Sequence, residues 1–294
     1  MVPMEHLHWI DRPQLRRPVL VSAFEGWNDA GDASSSAVRW FAERLGAEQI
    51  ASIDAEEFYD FTAVRPTVHN GNAGRREIEW PDVELWAASV PEARHDLVLL
   101  VGDEPQLRWR TFCATILHAA RELGVEMVVT LGALLAEVAH TRPTSVIGTA
   151  DDPRLIDQLG LRPSTYEGPT GITGVLQATC REAHIPSASL WAAVPTYVPS
   201  SPSPKATYAL VNRSAALLGI PIVTTDLEIA AASYERQIDE LVEADDETAA
   251  YVAQLAEDAD EDADDDGTFP PLDESQSAAL VQEVERFLRE HPTD

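Results

Sequence analysis

Short, nearly unbroken apolar runs alternate along this chain with segments whose apolar residues recur every three or four positions. Pro18–Phe24 (PVLVSAF) predicts a buried strand. A polar, glycine-containing loop follows, and Ser34–Leu45 then places Val38, Phe41 and Leu45 at helical spacing. Asp32 or Ser34 is the expected N-cap of that helix and Gly46 its stop. Gln49–Asp54 reads as the next strand. Arg76–Trp80 and Val83–Ala88 read as two strands joined by Pro81-Asp82, an antiparallel insertion at an edge. Asp96–Val101 predicts another buried strand, ended by Gly102-Asp103-Glu104-Pro105. Trp109–Leu123 predicts a helix closed by Gly124, and Glu126–Leu131 returns as a strand. Ala133–Ala139 reads as a short helix, Thr144–Thr149 as a strand and Pro153–Leu159 as a second short helix. The turn Gly168–Gly174 opens a helix to about His184, followed by a strand over Ser187–Val194 and a helix over Pro204–Leu218. Strands alternating with helices of this length predict an α/β fold with a mostly parallel sheet covered on both faces.

The composition changes after Pro221. Asp226–Val242 and Glu247–Leu255 keep helical periodicity, and Ser275–Leu288 regains it as a terminal helix that docks in cis or on a partner. Between them, the like-charge run Glu257–Asp266 reads as a solvated, mobile linker. The expected organisation is therefore an α/β core over residues 1–225 and an acidic helical region over 226–294, with the linker near 257–272.

Charge follows that division. The chain has 21 Lys+Arg against 50 Asp+Glu, a net of −29 over 294 residues. Residues 226–294 hold 23 acids and three bases, whereas residues 1–225 hold 27 acids and 18 bases. This excess argues against nucleic acid, whose affinity for proteins comes mainly from Lys and Arg, and against anionic membrane surfaces. No run approaches the length of a membrane span, and the first twelve residues do not have the pattern of a secretion signal. Cys113 and Cys180 fit small apolar residues in helices better than a metal or disulfide pair. A cytoplasmic protein with reduced thiols is expected.

Catalytic signatures are sparse. The chain contains no P-loop, no G-x-S-x-G elbow, no H-E-x-x-H and no dinucleotide fingerprint after the first strand. Its single lysine, Lys205, falls in a Ser/Pro-rich stretch. No catalytic residue, metal ligand or cofactor site is indicated. The sharpest positive feature is Gly26-Trp27-Asn28-Asp29-Ala30-Gly31, where a first strand hands over to a helix. In an open parallel sheet that carboxyl edge is where ligands bind. Asp29 fits either a polar group facing a ligand or a helix cap, and the glycines fit either ligand approach or turn geometry. Glu104 ends another strand, so Asp29 and Glu104 would share the edge as an acid–base pair, as holders of a divalent cation, or as solvated loop carboxylates. Gly168–Gly174 fits an anion nest or a tight helix start. His140, with Arg142 close behind, follows the predicted short helix and reads as a surface group at a helix C-terminus.

These loops resemble a known family, that of proteasome assembly chaperone 2. The resemblance rests on Phe24-Glu25-Gly26-Trp27-Asn28-Asp29-Ala30-Gly31, on Gly102-Asp103-Glu104-Pro105 with Trp109 in the next helix, and on Gly132, Gly171-Ile172, Gly174 and Val194-Pro195 in the same order. It spans roughly residues 15–220, and the long acidic C-terminal region is similar to the actinobacterial branch. It implies a three-layer α/β/α domain, phosphorylase/hydrolase-like, with a small helical appendage. It also implies a non-enzymatic assembly or interaction protein, a homo-oligomer with proteasome subunits or another protein as partner. Gly26, Asn28, Asp29, Gly31, Glu104, Gly132, Gly171 and Gly174 are its family-motif or ligand candidates. Some archaeal relatives dock through a C-terminal hydrophobic–Tyr–any motif, whereas this sequence ends His291-Pro292-Thr293-Asp294. The alternative is a small-molecule-binding protein, or a hydrolase- or ligase-like enzyme, with its site at the sheet's carboxyl edge.

Overall fold

The computed structural model describes residues 6–71, 75–198 and 201–261. In chain order these form β1 (Leu7–Trp9), β2 (Val19–Glu25), α1 (Ala33–Arg44), β3 (Glu48–Ile53), β4 (Thr67–Asn70), β5 (Arg76–Glu79), β6 (Val83–Ala88), β7 (Leu97–Asp103) and α2 (Trp109–Glu122). Then come β8 (Met127–Ala136), β9 (Val146–Ala150), α3 (Pro153–Leu159), α4 (Ile172–Glu182), β10 (Ser187–Pro195), α5 (Pro204–Leu218), α6 (Thr225–Glu243) and α7 (Asp246–Glu261).

β2 is apolar along most of its length because it has no wet face. It pairs in parallel with β7 on one side and β8 on the other. Val19, Val21 and Ala23 point to one face, where Val38 and Phe41 of α1 and Leu210 of α5 meet them. Leu20 and Phe24 point to the other, onto Phe112 and Ile116 of α2 and Leu176 of α4. Each face therefore has its own core, and the three layers are helix, sheet and helix.

The sheet has eight strands in the order β1-β3-β6-β7-β2-β8-β10-β9. Its centre, β7-β2-β8-β10, is parallel; β6 and β9 flank it antiparallel, so with β3 five of the eight strands run one way. β1, which pairs antiparallel with β3 at one end, escapes the apolar pattern because only Leu7 and Trp9 turn inward.

Two segments differ from expectation. The helix expected over Ala133–Ala139 is in fact the continuation of β8, which stays in register with β10 from Ser187↔Val128 to Pro195↔Ala136. Its residues are good helix formers, but nine consecutive cross-strand pairs outweigh a propensity worth a few tenths of a kcal/mol per residue. β5 and β6 are not partners either. β6 sits inside the sheet between β3 and β7, while β5 pairs with β4 in a separate ribbon whose residues are all exposed. Alternating burial of Val83, Leu85 and Ala87 places β6 inside; Arg76, Glu77 and Glu79 keep β5 out.

The C-terminal helix α6 docks on α5 and on the loops after β8 and β10, with α7 beside it, through polar contacts that the sequence hid. His140 is 3% exposed, not a surface group. Tyr197 Oη accepts its backbone N–H at 2.7 Å and lies 2.8 Å from its Nδ1, while Asp239 of α6 lies 2.9 Å from Nε2. A hydrogen on Nε2 serves the Asp239 contact, and Nδ1 and the Tyr197 hydroxyl share another between them. Lys205 lies in the first turn of α5, donates to the His140 carbonyl and pairs with Glu235 of α6. Tyr234, Ile238, Val242 and Val252 close a small core around Ala139 beneath these bonds. The linker expected over 257–272 begins inside α7, which extends to Glu261, and the terminal helix expected over Ser275–Leu288 lies outside the described residues.

Lys205→Met is expected to leave the Glu235 carboxylate and the His140 carbonyl without their cation, at a cost of about 1–3 kcal/mol. Limited proteolysis would then cut within α6–α7 first, before the α/β core opens. Cleavage at the wild-type rate would show that the apolar contacts alone hold these helices.

Candidate functional site

The carboxyl edge of the central strands is assembled from three loops, and its polar side chains turn inward. β2 ends at Gly26, whose φ of +103° suits glycine, and Asp29 N–H closes a turn onto the Gly26 carbonyl at 3.0 Å. Asn28 is 2% exposed, and its carbonyl accepts the Ala133 N–H of β8 at 2.8 Å. Gly31 receives the Ser203 N–H at 2.7 Å and has a φ of +60°; a Cβ there would stand 2.9 Å from Ser203 Cβ.

Asp29 caps α1. Its Oδ1 accepts the Ser34 N–H at 2.6 Å, the Ser34 hydroxyl at 2.6 Å and the Ser35 N–H at 3.2 Å. Asp32 occupies the N-cap position by backbone geometry, but its side chain makes no cap bond, and Ser34 is a donor within the helix. The negative charge therefore faces the positive end of α1. Burial raises the carboxyl's pKa, opposed by the Ser34 and Ser35 hydrogen bonds.

Glu104 plays the matching part for α4. Its N–H extends the β2–β7 ladder to the Glu25 carbonyl at 3.0 Å. One carboxylate oxygen accepts both the Asn28 side-chain amide and the Ile172 N–H, each at 2.8 Å. That N–H lies in the first turn of α4, so the start of this helix already holds an anion from its own chain. Gly171 makes the arrangement fit, because a Cβ there would lie 2.2 Å from the Asn28 amide nitrogen and 2.7 Å from the Glu104 oxygen.

The structure thus brings Asn28, Glu104 and Gly171 together and turns Asp29 away from them. Asp29 serves α1 on one face of the sheet, and Glu104 serves α4 on the other. The two carboxylates do not converge on a shared point. Gly132 accommodates the Trp191 ring, 2.6 Å from where a Cβ would stand, and Gly174 accommodates the Thr170 hydroxyl. Both are packing positions.

Sequence reasoning missed an acidic cluster beside this edge. Glu25 and Asp103 are aligned across β2 and β7, and Arg39 of α1 pairs with Glu25. Burial, with Glu84, Glu79 and Asp103 nearby, pushes Asp82 up to about 6; burial with Glu25 nearby raises Asp103 as well. A cleft of about 250 Å³ lies away from this edge, along β9, lined by Gly148, Gly160, Arg162 and Arg213. Arg213 faces the Leu159 and Gly160 carbonyls there and so caps the C-terminus of α3. Both cysteines are buried, and burial pushes their thiols up to about 12, which makes them poor nucleophiles. Among the described residues, no group of three or more His, Cys, Asp or Glu is placed to hold a metal ion.

Glu104→Ala should cost about 1–3 kcal/mol, because two inward donors lose their acceptor. Glu104→Gln, which keeps one oxygen, should cost less; equal urea midpoints for Glu104→Ala and wild type would show that the contact contributes nothing. Asp82 titrates with the opposite sign to a paired carboxylate. Its raised value favours folding below about pH 4, and that contribution is lost as pH rises through about 6. Asp82→Asn should therefore add on the order of 1 kcal/mol near pH 7.5, allowing for partial exposure, and nothing near pH 4. A pH-independent difference in urea midpoint would refute the assignment.

Comparison with known proteins agrees with this architecture. The PAC2 family model matches residues 23–242. The structure of a PAC2 family protein from Streptomyces avermitilis is 48% identical with a TM-score of 0.75, covering 80% of this chain and 99% of that one. A proteasome-assembly chaperone homologue of Mycobacterium tuberculosis is 45% identical with a TM-score of 0.73, over the same 80% and 99%. PbaB, an archaeal proteasome activator from Pyrococcus furiosus, shares the fold at 17% identity, with a TM-score of 0.65 over 80% of this chain and 97% of that one. No curated protein matches the chain in sequence. With a family model spanning most of its length and solved relatives at nearly half identity, this chain belongs to the PAC2 family.

Proposed function

We propose that this protein is a non-enzymatic assembly chaperone or interaction protein whose partners are proteasome components. One observation carries the reading beyond family membership. At the edge where α/β proteins usually bind ligands, the Asn28 amide donates to Glu104, Asp29 accepts from the start of α1, and one Glu104 oxygen accepts from the start of α4. They act as struts and leave the outer surface of the loops to meet a macromolecule. The relatives' description as a proteasome-assembly chaperone homologue supplies the partner class. Among the described residues, no helix is long and apolar enough to cross a membrane. The proposal places the protein in the cytoplasm as a homo-oligomer.

The test uses the full chain with the proteasome α- and β-subunits of the same organism. Co-elution in size-exclusion chromatography is expected, together with faster assembly of the subunits into rings. The elution volume of the chain alone reads its self-association. Separate elution at both low and physiological salt, with unchanged ring assembly, would refute the proposal.

A further inference from the structure

We infer that the partner docks on the carboxyl edge of the sheet, through an apolar and aromatic set ringed by acids, and that its own docking face is basic around an apolar recess. This rests on the reading above and specifies the surface that reading uses.

Eleven large apolar side chains are exposed among the described residues, and six of them stand on connections at this one edge. Trp27 is 66% exposed on the loop after β2, Leu107 is 48% exposed after β7, and Tyr166 is 60% exposed on the loop leading into α4. Val68, Ile78 and Trp80 belong to the β4–β5 ribbon and its exit, which project between β3 and the start of β6. Val68 and Ile78 are direct cross-strand partners, so they share one face of the ribbon, with Trp80 two residues further on. Phe61 braces the Trp80 ring edge-on at 4.9 Å. A two-stranded ribbon is marginal in water alone, and one with an uncovered apolar face gains by burying it. Trp and Tyr are also the residues most often found at the centre of binding energy.

Charge decides the occupant. Segments 25–32, 54–71, 75–82 and 103–108, which build this edge, carry twelve acids and four arginines, and ten of those acids remain once the inward-turned Asp29 and Glu104 are set aside. The rest of the first 225 residues carries fifteen acids and fourteen bases. Most of the body's negative excess therefore lies around the exposed aromatics. A second copy would meet like charge with like charge, and nucleic acid or an anionic membrane would be repelled. A face carrying Lys and Arg around an apolar recess satisfies both components, because paired potentials fix register while aromatics supply burial.

Four single variants of the full chain, each at an exposed position, test this by titration calorimetry against the proteasome subunits. Thermal melting confirms first that they are folded. Trp27→Ser and Ile78→Asp should weaken binding by about tenfold or more. Glu56→Lys should weaken it several-fold and flatten its dependence between about 50 mM and about 300 mM salt. Ile229→Ser, on the outer face of α6, should bind as wild type. Wild-type binding that Trp27→Ser and Ile78→Asp leave intact would overturn the inference while the proposed function stands. If wild type does not bind the subunits, the proposed function fails, and a second probe still judges the surface. A labelled peptide alternating leucine with lysine should bind about tenfold tighter than its leucine–glutamate counterpart, and only where Trp27 and Ile78 are intact. Equal binding of the two peptides, or equal binding to variants and wild type, overturns the inference. So does an oligomer that Trp27→Ser or Ile78→Asp splits, which would make a second copy the occupant.

Discussion

One carboxylate oxygen holds the carboxyl edge together. Glu104 receives the Asn28 amide and the Ile172 N–H, and so joins the ends of β2 and β7 to the start of α4 through a single acceptor. The three segments are far apart in sequence, and no apolar contact alone would fix them to hydrogen-bond precision. Their close approach requires that position 171 have no side chain. This acceptor fixes where α4 begins on one face of the sheet. α4 enters at a defined height, Leu176 and Cys180 reach the second core, and the face containing Phe24 and Phe112 is closed. Asp29 does the same for α1 on the opposite face, with its charge placed at the positive end of the helix. The sheet is thus gripped from both sides at one end of its central strand.

This geometry gives each of these loop residues a structural part. Glycines, an amide and two carboxylates at a sheet's carboxyl edge have the composition of a ligand site, and the same composition is what two helix starts and a tight strand-to-helix turn need. The distinction lies in where the lone pairs point. Asp29 has three donors on one oxygen, all from α1, and the Glu104 oxygen that faces α4 is fully engaged. A carboxylate used in catalysis needs freedom to face the reacting atoms. These two are held instead by the elements they cap.

How legible this was from residues alone varied with the range of the interaction. β2, β7 and β10 were legible because burial on both faces leaves a continuous apolar run. The helices α1, α2 and α5 were legible because glycine stops and apolar spacing are local signals. Asp29 was legible as a candidate cap, but the choice between cap and ligand group depended on which way the side chain turns. The extension of β8 through Ala136 was not legible, since Leu134, Leu135 and Ala136 favour a helix until β10 offers nine partners. The separation of β5 from β6 needed the knowledge that β6 fits between β3 and β7. Least legible were His140 and Lys205. A histidine after a presumed short helix and a lysine among prolines gave no sign that Asp239 and Glu235, further along the chain, would pair with them.

The internal struts and the exposed aromatics are two consequences of one arrangement. Trp27 stands between Gly26, fixed by its turn to Asp29, and Asn28, fixed by bonds to Glu104 and β8. Its backbone is therefore set on both sides while its ring is mostly in water. Ordering a loop on binding ordinarily costs conformational entropy, and a loop already ordered from beneath avoids most of that cost. The same logic separates stability from recognition: Asn28, Asp29 and Glu104 hold the edge, while Trp27, Leu107 and the β4–β5 ribbon can vary without loosening it. A scaffold of this kind lets its outer residues adapt to different partners while the glycine and carboxylate positions beneath them stay fixed.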